Sequence, residues 1–397
     1  MKVDVMPRAA LALGLALFLG AHASPGSTKD AAPYAFTSCY IDSDSDGLND
    51  CYETNTHVYV SVVNTGTDPA NPDTDGDGLS DGDEVNGTAG GLNLPLFGVN
   101  PLHKDILLEY DWLADSHECA PPQPHSHKPP AGMLPILRDM FAAAPVANPD
   151  GTTGIHLFQD LAGAPTGGQF LLTESNLVPD DDGNIIGGPN GDEFMDMELH
   201  NFPANRQGYF HYVIFAHYQT GHELSSGIAS LPGHRIIISI GCLSNDPTST
   251  AYTMAHELGH NLGLYHGGFE ECNKKPNYNS VMNYAVQWSG SVDCTLRSRG
   301  YPDYSHGWRR DIDENAVNEP AGVCNAIESP VAVPVDFNHN HTIEPAPYAR
   351  DLNPNQGCSS ALTVLKDFDD WKHVDLSAVN LPYGTPSSEP CPGPSSL

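Results

Sequence analysis

The chain has 397 residues, with 50 Asp and Glu against 17 Lys and Arg, a formal net charge of -33. So acidic a surface repels nucleic acid and anionic membranes, and neither is expected as a partner. The length allows a full-sized core plus one or two smaller modules, and the nine cysteines fit disulfide chemistry in an oxidising compartment.

Lys2 and Arg8 precede an almost unbroken apolar run over residues 9–20, and Ala21-His22-Ala23 follows. A basic start, a short apolar stretch and small residues predict a signal peptide over residues 1–23 and a secreted, extracellular protein. The run is too short to span a bilayer and no later one is longer, so no membrane insertion is expected. Residues 24–100 are rich in Asp, Asn, Gly, Ser and Thr, a texture that needs staples to hold a fold. Asp42, Asp44, Asp46, Asp50 and Glu53 place oxygen ligands along a twelve-residue run with Gly47 at its turn. Asp73, Asp75, Asp77, Asp81 and Glu84 repeat the pattern around Gly78. Calcium would relieve the repulsion among these carboxylates; a solvated acidic linker is the plainer alternative. Leu48 and Leu79 at the seventh place, Asp50 and Asp81 at the ninth, and Pro/Gly-rich flanks make the segment resemble thrombospondin type 3 repeats. A third run, Asp336, Asn338, Asn340 and Glu344, is degenerate, with His341 in place of Gly and Pro347 in place of the last Glu.

From Asp105 the patterning predicts strands over residues 106–112, 155–161, 209–218 and 235–240, and helices over 133–144 and 248–264, the latter capped by Thr248 or Ser249. Residues 101–330 are therefore read as an α+β domain with a mixed sheet and an irregular lower part. Residues 331–397 are read as a small extension, with a helix within 362–371 and a Pro/Ser-rich tail. A Pro-rich loop carries His125 and His127, read as solvated rather than metal-bound. Local pairing is expected for Cys39 with Cys51 and Cys272 with Cys294, with Cys391 a candidate for the odd thiol.

The segment from His256 to His266 carries the chemistry. On a helix, His256 and His260 share a face and Glu257 stands beside them. Gly263 can take positive φ and end the helix sharply, so that His266 returns to complete three nitrogen ligands. Three imidazoles leave a fourth position open, as in a catalytic zinc site. Glu257 would accept the proton of a water there as it attacks a peptide carbonyl, then deliver it to the leaving amine. A buried helix with structural histidines is the plainer alternative, but it gives this spacing no purpose.

His256-Glu257-x-x-His260-x-x-Gly263-x-x-His266 resembles the extended motif of the metzincin zinc metalloproteases. Leu262 to His266 and the nearby cysteines are most similar to the pappalysin-like group, and Tyr284 to the astacin-like group. The resemblance implies a Met-turn at Met282, a Tyr284 that assists the oxyanion, and an edge strand at residues 226–229 that holds an extended protein or peptide substrate. It implies zinc-dependent cleavage of internal peptide bonds. The alternatives are a calcium-binding adhesion or matrix module with an inactive protease fold, or a zinc amidase or exopeptidase; Glu257 argues against the first.

Overall fold

The computed structural model describes residues 39–114, 127–162, 177–179, 183–241, 246–358 and 361–381, with the backbone of two-residue strands at 118–119, 123–124, 170–171 and 385–386. The expected signal peptide, His125, and the side chains of Cys119, Cys242 and Cys391 lie outside the described residues. In chain order the principal elements are helices α1 (Asp81–Asn86) and α2 (Leu94–Phe97), strand β1 (Asp105–Leu113), α3 (Met133–Ala142), β2 (His156–Asp160) and α4 (Asp192–Asn201). They continue with β3 (Phe210–Phe215), β4 (Gly227–Leu231), β5 (Arg235–Ile238), α5 (Pro247–Asn261), β6 (Ile312–Asp313), β7 (Val364–Leu365) and α6 (Asp370–His373).

The main sheet is mixed. Its strands run in the order β4-β5-β3-β1-β2, parallel except that β4 is antiparallel to β5. Strand β1 is buried along its whole length, and its apolar side chains sort by parity. Ile106, Leu108, Tyr110 and Trp112 enter one cluster, with α3 and α5; Leu107 and Leu113 enter the other. Period-two alternation in a sheet covered on both faces gives this result.

Phe194 and Met197 of α4 lie on the second face, beside Leu79, Leu92, Leu94 and Val99 from the acidic segment. That segment therefore packs on the sheet and shares its core. On the same face the polar residues of β1 are matched: Arg206 Nη1 bridges Glu109 (2.8 Å) and Asp160 (2.7 Å), and Tyr212 donates to Asp111 (2.7 Å). A smaller cluster of Ile312, Val317, Val323, Val335, Phe337 and Leu365 organises the chain after helix α5.

Several expectations are corrected. Helix α5 starts at Pro247 with Asp246 as its cap, because the Asp246 carboxylate accepts from Ser249 N (2.8 Å); Thr248 and Ser249 lie inside the first turn. Residues 362–371 hold strand β7 and only the start of α6, since Val364 and Leu365 pair with Asp313 and Ile312. Cys272 pairs with Cys358 and Cys294 with Cys324, so the second local pairing does not form. Cys39 and Cys51 are each disulfide-bonded. His127 is buried, with Nε2 3.2 Å from Nδ1 of His217, and is not a solvated loop residue. Helix α4 escapes periodicity because acidic and apolar residues are equally frequent in it and Met195 and Leu199 are exposed, leaving only Phe194, Met197 and Glu198 buried.

Candidate active site

Helix α5 ends in a two-bond glycine cap. Gly263 takes φ +90°, its N–H donates to His260 O, and Leu264 N–H donates to Gly259 O, both at 2.9 Å. The reversal brings His266 back against the helix. Its ring centroid lies 5.4 Å from that of His256 and 4.8 Å from that of His260, which are 4.9 Å apart. One ring nitrogen from each histidine lies within 4.8 Å of the others.

Each imidazole is held by its other nitrogen. His256 Nδ1 faces Val281 O (2.8 Å), His260 Nδ1 faces Leu264 O (2.7 Å), and His266 Nδ1 faces a carboxylate oxygen of Glu271 (3.0 Å). With Nδ1 as donor, the lone pair sits on Nε2, and all three Nε2 atoms are buried with no hydrogen-bond partner. Burial, reinforced by the neighbouring imidazoles, pushes His260 down to about 3 and His256 well below its ordinary value. Orphaned, convergent imidazole nitrogens of this kind suit a zinc ion.

Glu257 is fully buried next to His256. Strand β4 passes directly over it: a Cβ on Gly227 would stand 2.6 Å from Glu257 Oε1, so glycine alone allows this approach. Met282 lies against the helix, its sulfur 2.3 Å from where a Cβ on Gly259 would be. The Tyr284 ring lies 4.5 Å from His266 and 5.6 Å from His256, and its backbone N–H donates to Asn273 Oδ1 (3.0 Å). On the outer side of β4, Ser230 and Leu231 pair with Pro386 and Thr385. Gly227, the end of the edge nearest Glu257, has no such pairing among the described residues.

The sequence profile of the Reprolysin (M12B) family zinc metalloproteases matches residues 212–305. That span runs from β3 through β4, β5 and α5 to beyond the Met282 turn, and includes every residue just described except the strand opposite β4. The chain is a zinc metalloendopeptidase. No curated protein and no solved structure matches it. The enzyme thus hydrolyses peptide bonds.

The acidic runs form two linked loops. Asp42 accepts from Ser45 N (2.7 Å) and Gly47 N (3.1 Å); Asp73 accepts from Gly76 N (2.7 Å) and Gly78 N (2.9 Å). Asp50 and Asp81 each close their loop, on Ser43 and Thr74. The loops are not independent, since Asp46, Glu53 and Asp81 converge across them and Gly82 N donates to Asp46 (2.9 Å). Asp44 has both carboxylate oxygens without partners, as does Glu84; Asp75 has one and Glu53 has one. The third run shares the turn: His341 takes φ +68° and donates its N–H to Asp336 (2.7 Å).

Sequence reasoning misses the anchors of the site. Val281 O, Leu264 O and Glu271 hold the three imidazoles, and Asn261 ties the helix end to Ser230 O (2.8 Å) and Arg235 O (3.1 Å). Backbone carbonyls carry no residue signature. Glu271 stands in a loop whose folding back depends on contacts far along the chain.

Proposed function

We propose that the enzyme is a secreted, metzincin-type endopeptidase that cuts internal bonds of extended protein substrates. In this reading His256, His260 and His266 hold the zinc, and the observation that carries it is their three buried, partnerless Nε2 atoms around one point. Bound there, zinc supplies Lewis acidity and lowers the pKa of water to about 7. Glu257 takes the proton of the attacking water and returns it to the leaving nitrogen. The Gly227 contact supports this role, because it limits where the carboxylate can lie. Tyr284 donates to the developing oxyanion, and Met282 forms the floor beneath the histidines. An extended substrate pairs with the start of β4, which has no outer partner strand among the described residues and lies over Glu257.

Calcium on the N-terminal loops is the second part of the proposal. Its support is Glu84, a carboxylate 2% exposed with both oxygens unpartnered, next to buried Asp75 and Asp77. A desolvated cluster of this kind favours a hard cation over empty space.

The test is metal analysis of the purified enzyme with cleavage of a denatured protein substrate. The reading predicts one zinc per chain, lost in His256→Ala and His260→Ala, and internal cuts abolished by a zinc-selective chelator and restored by zinc. Full zinc content in both variants would refute the ligand set.

A further inference from the structure

The residue after the third histidine is Gly267, and the loop it opens is unusually tight. A Cβ there would stand 2.4 Å from Cys272 O and 2.8 Å from Glu270 O, so only glycine lets the chain fold back at once. Gly267 N donates to Glu270 O and Tyr265 N to Gly268 O, both at 2.8 Å, and buried Lys275 donates to Gly267 O (2.8 Å). The loop delivers Glu271 to His266 Nδ1 at 3.0 Å.

The next residues are held from the other side. Cys272 is bonded to Cys358. Asn273 N donates to Gln356 O (2.8 Å), and Asn353 Nδ2 donates to Asn273 O (2.8 Å). A Cβ on Gly357 would stand 2.6 Å from Glu271 O, so the extension lies directly against the Glu271 backbone. Asn273 Oδ1 accepts from Tyr284 N (3.0 Å). Three consecutive residues therefore join the third histidine, the tyrosine beside it and residues 353–358 of the C-terminal extension.

We infer that Glu271-Cys272-Asn273 is a clamp through which the C-terminal extension positions the metal site, with Glu271 as the positioning residue for His266. The inference rests on the proposed zinc ligand set. A histidine held by a carboxylate keeps its tautomer and ring direction, and loss of such a partner costs about 10- to 100-fold in metal affinity. The disulfide adds a condition: the clamp is complete only in the oxidised protein, so zinc retention depends on a covalent link to the extension.

The experiment measures zinc affinity by chelator competition in the full chain, with the thermal midpoint of the metal-free protein in parallel. Glu271→Ala is expected to weaken zinc binding by about 10- to 100-fold with little change in that midpoint. Glu271→Gln, which keeps an acceptor for Nδ1–H, is expected to recover part of the loss. The double variant Cys272→Ser/Cys358→Ser is expected to weaken zinc binding in the same direction. Wild-type affinity in Glu271→Ala would overturn the clamp while leaving the zinc site standing. Absence of zinc binding by the wild type would instead overturn the ligand set. A loss in Glu271→Gln as large as in Glu271→Ala, with a matching fall in the midpoint of both, would assign Glu271 a folding role and overturn positioning.

Discussion

At the scale of single residues, the site is built by small side chains as much as by the histidines. Gly227 is the sharpest case: a Cβ there meets the Glu257 side chain, Oε1 at 2.6 Å and Cγ at 2.8 Å, and not backbone. Gly227→Ala should therefore displace Glu257 without unfolding the protein. The expected result is a fall of about 100-fold in kcat, with zinc content and thermal midpoint unchanged. Steady-state kinetics with metal analysis checks it; a normal kcat would mean that Glu257 tolerates displacement. The histidine pattern itself is legible in the sequence, since spacing on a helix decides which rings share a face. Gly263 is legible too, because the return of His266 needs positive φ. Glu271 and Asn273 are not, because their roles depend on residues 353–358, some eighty positions on.

At the scale of elements, Asn261 joins the end of α5 to three strands. Its Oδ1 faces His211 Nδ1 of β3 (2.9 Å), while Nδ2 donates to Ser230 O of β4 and Arg235 O at the start of β5. Asn261→Ala leaves those buried groups unpaired, and the expected loss is about 3 kcal/mol of stability, read from denaturant unfolding. His211 adds a pH dependence. Burial pushes it down to about 4, so the folded protein keeps it neutral where the unfolded chain would protonate it. Its contribution is present above pH about 6.5 and is lost as pH falls toward 4, a loss of roughly 3 kcal/mol. Measured with calcium bound, unfolding free energy should fall more from pH 7 to 4 in the wild type than in His211→Gln; equal falls in the two would contradict this. Strand positions are legible from alternation and apolar runs. Helix α4 and strand β7 are not, because neighbours and not periodicity hold them in place.

For the whole molecule, residues 40–397 form one compact unit, and the acidic segment is part of it. Lys104 Nζ donates to Asp75 O, Asp105 N donates to Asp77 (2.6 Å), and Tyr209 donates to Asp83 (2.7 Å). Calcium bound to that segment would thus act on the sheet through the start of β1. Without calcium, burial raises both Glu53 and Asp81 to about 7, reinforced by neighbouring carboxylates. A carboxyl raised by folding contributes stability below its unfolded value and loses it as pH rises through the folded one. The calcium-free protein should therefore be less stable at pH 8 than at pH 5.5, and added calcium should raise the thermal midpoint more at pH 8. Equal calcium shifts at the two values would argue against carboxylate ligation. The two loops are legible as candidate ligand runs, whereas their convergence on Asp46, Glu53 and Asp81 requires the fold.

The central claim is that Glu257 activates water at a zinc held by His256, His260 and His266. Its most direct test is cleavage of a denatured, calcium-loaded protein substrate by the wild type and by Glu257→Ala, each shown to be folded and zinc-loaded. The account predicts internal cuts by the wild type and a fall in kcat/KM of at least about 100-fold in the variant. Equal cleavage by the two proteins would contradict it.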